Sequence, residues 1–284
     1  MVDGAGGPTV LRILLGTQLR RLREARGITA QEAAHAIRGS ESKISRIELG
    51  RTSVRKIDIV DLLSLYGITD PAEREELLTL AAQANQPGWW HQYQDVLPSW
   101  FQAYIGLEES AASIHSYDAQ FIPGLLQTED YAAAVIALGE FPLEEAERLV
   151  FLRKERQRRF TEGRLTLWAI IEEIALRQPI GSVEILRDQL RYLLSLSSMQ
   201  NLTLQITPFG TGGHVAPSGF SILRFSEADL PDIAYLEHLT SALYFDKKSD
   251  VDRYLLAMER LSIISAGPNE TPGILTTIIN QLED

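Results

Sequence analysis

SESKISRIELGR, residues Ser40–Arg51, places a serine ahead of a short run in which Ile44 and Ile47 stand three apart. That spacing sets both isoleucines on one side of a helix and leaves Glu41, Ser42, Lys43, Ser45 and Arg46 on the other. Ser40 reads as the N-cap and Gly50 as the stop. Immediately upstream, TAQEAAHAI (29–37) predicts another short helix: Thr29 caps it, Glu32 completes a capping box, and Ala33, Ala34 and Ile37 form its inward face. The small alanines permit a close helix crossing, and Arg38-Gly39 makes the turn between the two helices. Further out, Leu15, Leu19 and Leu22 mark one face of a first helix closed by Gly27. RKIDIVDLLSLYG predicts a fourth helix with Ile57, Val60, Leu63 and Tyr66 inward. PAEREELLTLAAQAN, opened by Pro71, predicts a fifth.

Composition sets limits around this segment. The chain has 284 residues, enough for two domains, and its apolar fraction of 45% is ordinary for globular protein. No apolar run approaches the roughly 18 residues of a membrane span. Cysteine is absent, which excludes disulfides, thiolate metal sites and a cysteine nucleophile. Residues 1–10 read as a flexible, Gly-rich leader without the features of a secretory signal, so the expected address is cytoplasmic. The net charge of −11 conceals an asymmetry. Residues 10–56 carry eleven Lys or Arg against four acids, a local +7, while residues 57–284 carry 16 basic and 33 acidic residues, a local −17. Such a division predicts a nucleic-acid-facing module on an acidic body.

Two short helices joined by a tight turn, the second with a polar outer face, form a helix-turn-helix arrangement. LRRLREARGIT and SESKISRIELGR, in register, resemble the phage-repressor-like (xenobiotic-response-element) helix-turn-helix domains over residues 11–66. The resemblance implies that the helix after Ser40 enters the major groove of double-stranded DNA. Glu41, Ser42 and Arg46 are then expected at base edges, with Arg46 donating to guanine and Glu41 accepting from cytosine. Ser40, Lys43 and Ser45 match positions of phosphate contact, and Arg51, Arg55 and Lys56 follow in the loop that tracks the backbone. Arg23 and Glu48 match a family pair that bridges the first and third helices. The family commonly clamps a phosphate with a Gln opening the second helix. Ala30 stands there instead, and Gln31 follows as the expected contact. Family members bind two half-sites, so a homodimer is expected.

QANQPGWW breaks the fifth helix, which predicts a helix-turn-helix domain over 11–84 and a larger domain over 85–265, with 266–284 as a C-terminal tail that docks or dangles. WWHQYQDVLPSWFQAYIGLEESA concentrates three tryptophans, two tyrosines and a phenylalanine, a density typical of a core or an interface anchor. Trp89, Trp90, Tyr93 and Trp100 are its candidate partner- or ligand-binding residues. FIPGLLQTEDYAAAVIAL predicts a helix capped by Thr128. Five runs read as strands: LTLWAII, NLTLQITPF, GFSILRF, DIAYLEH and SALYFDK. GSVEILRDQLRYLLSLSS between the first two completes a β-α-β unit. The expected class is α+β overall, a five-helix N-terminal domain followed by a mixed domain with an antiparallel-rich sheet. WWHQYQDVLPSWFQAYIGLE, IPGLLQTEDYA and IIEEIALRQPIG are similar to the C-terminal domain of actinobacterial antitoxin-like regulators of the Scr type. Together with the N-terminal match, the resemblance spans roughly residues 11–265. It implies a transcriptional regulator that binds a small partner protein encoded nearby.

Other chemistry is weakly signalled. Glu172-Glu173 follows a strand, where adjacent residues point to opposite faces, so a paired acid/base role is disfavoured. His35, His91, His115, His214 and His238 show no metal-ligand spacing. The glycines of TPFGTGGHVAPSGF lie between strands rather than ahead of a helix, which predicts a loop and not a phosphate cradle. RKERQRR (153–159) reads as a solvated face, with DNA flanks or an acidic partner as the alternative. No catalytic constellation, metal or cofactor is expected. The reading is a sequence-specific DNA-binding transcriptional regulator, not an enzyme. Its C-terminal domain takes a small protein partner or, alternatively, senses a small-molecule ligand.

Overall fold

The structure, a computed structural model, describes residues 7–211, 216–227 and 230–283. It divides into two compact units: Met1–Gln92 with Gln102–Ser110, and Tyr93–Phe101 with Ala111–Asp284.

The first unit is helical: α1 (Pro8–Ala25), α2 (Ala30–Ala36), α3 (Glu41–Glu48), α4 (Lys56–Leu65), α5 (Pro71–Ala84) and most of α6 (Ser99–Ser110). The expected leader over residues 1–10 is corrected at its end. Pro8 opens α1, and Thr9 and Val10 are already buried, while residues 1–6 lie outside the described residues. The predicted caps are present. Glu32 N–H donates to Thr29 Oγ1 and Thr29 N–H to Glu32 Oε2, and Lys43 N–H donates to Ser40 Oγ. Leu15, Leu19, Ala33, Ala34, Ile37, Ile44 and Ile47 join one core with residues of α4 and α5.

In the fourth helix Leu63 and Tyr66 are buried as predicted and Val60 is half-buried, but the prediction for Ile57 is corrected. Ile57 is 58% exposed, whereas Asp58, Ile59, Leu62, Leu63 and Tyr66 point inward. Asp58 lies on the buried side among these apolar residues, where Lys43 and Arg55 pair with its carboxylate. The expected domain break also moves. Asn85 caps α5, but its amide holds both Val54 backbone groups, keeping the chain in the first unit. Gly106 explains the return of α6: a Cβ there would meet Thr9 and the Trp90 ring at less than 3 Å. The division therefore runs through α6.

The second unit is built on a mixed six-stranded sheet of order β3-β2-β1-β4-β5-β6. The strands are β1 (Ser113–Asp118), β2 (Thr166–Glu172), β3 (Leu202–Thr207), β4 (Phe220–Arg224), β5 (Ile233–Glu237) and β6 (Ala242–Phe245). β1, β2 and β3 run parallel, and β4, β5 and β6 continue the sheet antiparallel. This is the expected α+β class, with one central strand the sequence reading lacks. β1, SIHSYD, carries polar residues on both faces and so shows neither alternation nor an apolar run. Its crossover to β2 holds α7 (Glu129–Ala137) and α8 (Leu143–Thr161), and α9 (Val183–Leu196) carries β2 to β3. On one sheet face Tyr117, Ile170, Phe220 and Ile222 pack on Val251, Met258 and Leu261 of α10 (Lys248–Ile264). The expected tail is integral. In α11 (Thr271–Gln281), Leu275 and Ile278 are buried, and Thr271 Oγ1 donates to Leu204 O at 2.7 Å.

Candidate nucleic-acid interface

α2, the turn and α3 owe their geometry to contacts on their inner sides. Gly39 N–H donates to Ala34 O at 2.8 Å, closing α2, and Ser40 then opens α3. Arg38 in the turn adopts φ +51°, a left-handed conformation uncommon for a side chain with a Cβ. Ile44 and Ile47 are buried. At the far end of α3, α1 approaches so closely that a Cβ on Gly16 would lie 2.5 Å from Ile47 O and 2.6 Å from Glu48 O. Only glycine fits there.

Charge fixes the same helix. Arg23 Nε donates to Glu48 Oε1 at 2.6 Å and Nη2 to Oε2 at 2.9 Å, while Nη1 donates to Ile28 O at 2.8 Å. One half-buried guanidinium thereby ties α1, the α1–α2 loop and α3, as the family resemblance implies. Such a two-pronged charged pair is among the stronger polar contacts.

A second anchor is absent from the sequence reading. Lys43 Nζ donates to Asp58 Oδ2 at 2.7 Å, and Arg55 donates through Nε to Oδ2 at 3.1 Å and through Nη2 to Oδ1 at 2.8 Å. Burial alone would raise the Asp58 carboxyl, but hydrogen bonds from Arg55 and Lys43 outweigh it and hold the group below the usual range. Lys43 and Arg55, both expected at phosphates, are thus joined to a buried carboxylate that braces α3 against α4. The available signal was an acid in the first turn of a helix opened by RKI, close behind a lysine-bearing helix.

With those cations engaged, the outward face of α3 is simple. Glu41, Ser42, Ser45 and Arg46 are exposed, as are Ser40, Arg51, Lys56 and Gln31. Among the described residues, Arg46, Arg51 and Lys56 have no ion-pair partner. Arg38, in the turn before α3 and not singled out from sequence, is likewise exposed and without an ion-pair partner among the described residues. A fixed helix with hydroxyls, a carboxylate and a free guanidinium outward has donors and acceptors of the kind that read base edges. The flanking cations are of the kind that contact phosphates.

The aromatic candidates behave differently. Trp90 is only 5% exposed and packs beneath Gly88 and Gly106, which makes it a core residue rather than a surface anchor. Trp89 Nε1 donates to Glu109 Oε2 at 2.9 Å. Both belong to the first unit, whereas Tyr93 and Trp100 belong to the second. There the Arg148 guanidinium lies 5.7 Å above the Tyr93 ring, and Tyr244 donates to Trp100 O at 2.6 Å. Glu172 and Glu173 separate as expected: Glu172 accepts from Tyr117 OH at 2.7 Å, and Glu173 holds Arg177 and Phe209 N–H. Of the Gly-rich segment 210–219, residues 212–215, with His214, lie outside the described residues. No group of His, Cys, Asp and Glu among the described residues could hold a metal ion. No described helix is long and apolar enough to cross a membrane.

The α2–α3 pair is that of a helix-turn-helix protein, and comparison with family models agrees: residues 14–77 match a Helix-turn-helix domain. Residues 101–277 match the Domain of unknown function (DUF5753). That second match takes in more than half of the chain, which belongs to the DUF5753 family. Neither a curated protein nor a solved structure matches it.

Proposed function

We propose that the chain is a cytoplasmic, sequence-specific transcriptional regulator of the xenobiotic-response-element type. It binds double-stranded DNA as a homodimer across a two-fold site. α3 lies in the major groove, with Arg46, Ser42 and Glu41 at base edges. Ser40, Ser45, Gln31, Arg51 and Lys56 lie at phosphates, joined by Lys43 and Arg55 where the duplex competes with Asp58. The observation that carries this reading is the division of labour on α3. Every inward group is committed to packing or to the Arg23 and Asp58 anchors, and Arg46 is left exposed and unpaired.

The C-terminal domain, on this reading, is antitoxin-like: it receives a small partner protein and performs no catalysis. Support comes from large apolar side chains left exposed on the second unit, Leu138 and Leu143 among them, which fit a protein contact better than a ligand cavity. The test is selection of a random-sequence duplex library by the full chain. The expected product is a two-fold motif with half-sites about 34 Å, one helical turn, apart. Enrichment without any sequence preference would overturn the reading.

A further inference from the structure

The connection between α7 and α8 contradicts the ordinary placement of apolar residues. Residues 137–144, ALGEFPLE, are all exposed. Leu138 is 61%, Phe141 44% and Leu143 77% exposed. Eight residues beyond Leu143, about 12 Å along the helix axis, Phe151 is 57% exposed. Leu143, Glu147 and Phe151 follow each other at helical spacing of four, so they share one outward stripe of α8. The domain core does not need them, because α8 buries Val150, Leu152 and Phe160 instead. The turn itself is held in a defined shape. Gly139 N–H donates to Ile136 O and Glu140 N–H to Ala137 O, and Glu140 adopts φ +54°. A left-handed residue there is a common way for a helix to close, so the turn after α7 has a defined backbone.

The unpaired charges around these four side chains are acidic, since the neighbouring cations of α8, Arg148 and Lys154, are paired with Asp95 and Glu129. Glu140, Glu144 and Glu147 are exposed and, among the described residues, form no ion pair. The dipole of α8 accounts for acids in its first turn, Glu144 and Glu145. It does not account for Glu140, which precedes the helix, or Glu147, which lies beyond that turn. Apolar anchors inside an acidic rim complement an amphipathic helix whose apolar stripe is flanked by lysine and arginine. We propose that Leu138, Phe141, Leu143 and Phe151, rimmed by Glu140, Glu144 and Glu147, form the docking surface for a cationic amphipathic helix of a partner protein. This rests on the partner-binding reading of the C-terminal domain and names the surface and the chemistry it takes.

The test uses the full chain and a fluorescein-labelled Leu/Lys peptide of about 18 residues, five turns, with leucines on one helical face. A scrambled peptide of the same composition is the control. Fluorescence anisotropy is expected to show the amphipathic peptide binding at least about tenfold tighter than the scrambled one. The variant Phe141→Ser/Leu143→Ser/Phe151→Ser and the variant Glu140→Lys/Glu144→Lys/Glu147→Lys should each lose at least about tenfold. Equal binding of both peptides overturns the proposal, as does unchanged binding by either folded variant. If the serine variant does not fold, the lysine variant decides alone. A native dimer that the serine variant converts to monomer in sedimentation would assign the surface to a second copy and also overturn it. The underlying reading has its own readout, recovery and identification of a small protein with the native chain from the cells that make it. If that protein still co-purifies with both variants, the surface is wrong and the partner reading stands. If none is recovered with the native chain, the partner reading falls.

Discussion

Two basic stretches of this chain, residues 38–56 on the first unit and 153–159 on the second, look alike in sequence and are used in different ways. In the second, every cation is engaged. Arg153 donates to Gln127 Oε1, Lys154 pairs with Glu129 at 2.6 Å, and Arg156 lies 5.0 Å above the Phe101 ring. Arg158 sits between Glu155 and Glu162, and Arg159 donates to Ala111 O at 3.1 Å. The expected solvated face holds for Lys154 and Arg158, which are exposed, and is corrected for the other three cations. Arg153, Arg156 and Arg159 are half-buried, because α8 turns that side toward the interior. In the first stretch only Lys43 and Arg55 are engaged, on one buried acid, and Arg38, Arg46, Arg51 and Lys56 stay exposed. Positive charge is raw material in both places. What separates a binding face from a structural brace is how many cations the protein's own carboxylates and carbonyls leave over.

Breaking the braces should have the largest effect. Arg23→Ala strands the half-buried Glu48 and should lower stability by about 3 kcal/mol, since the cost of orphaning a buried charge exceeds the net worth of the pair. Urea denaturation measures it, and a loss below about 0.5 kcal/mol would reduce the bridge to decoration. Asp58→Asn should cost less, about 1–3 kcal/mol at neutral pH, because Lys43 and Arg55 can turn to water. The pH dependence has a defined sign. The folded Asp58 carboxyl is held below its ordinary value by Arg55 and Lys43, so its contribution is complete above the unfolded pKa of about 3.9 and disappears as pH falls through the lower folded value. The native chain and Asp58→Asn should therefore converge in stability on acidification below about pH 4. A gap that persists there would mean that packing, not charge, holds α4. The smallest effect sharpens the contrast on the DNA side. Arg51→Ala should weaken binding similarly on all duplexes and flatten the salt slope by about 1, with folding stability unchanged.

The helix-turn-helix pair was legible because its signals are local. Thr29 with Glu32, Ser40 ahead of Lys43, and the inward isoleucines each depend on residues within one or two turns. The same holds for β2, α9 and β3, whose periodicities change sharply at turn residues. What escaped depends on distant partners. Asp58 is buried with its partner in a lysine 15 residues earlier, and its neighbour Ile57 is exposed. Gly16 carries no pattern of its own and is explained only by the carbonyls of Ile47 and Glu48. β1 is central through its pairing with β2 and β4, not through its own composition. At the site, exposure could be anticipated for Ser42 and Arg46. The assignment of Lys43 and Arg55 to a strut could not.

In the proposed mode of binding, base recognition centres on the exposed guanidinium of Arg46. Binding of the full chain to its selected duplex, followed by anisotropy for the native protein, Arg46→Ala and the Arg158→Ala control, tests this directly. The expected result is a loss of about 1–3 kcal/mol in affinity for Arg46→Ala, confined to the selected site and accompanied by relaxed preference at one base position, with Arg158→Ala unchanged. Equal affinities for all three proteins, or equal losses in the two variants, would contradict it.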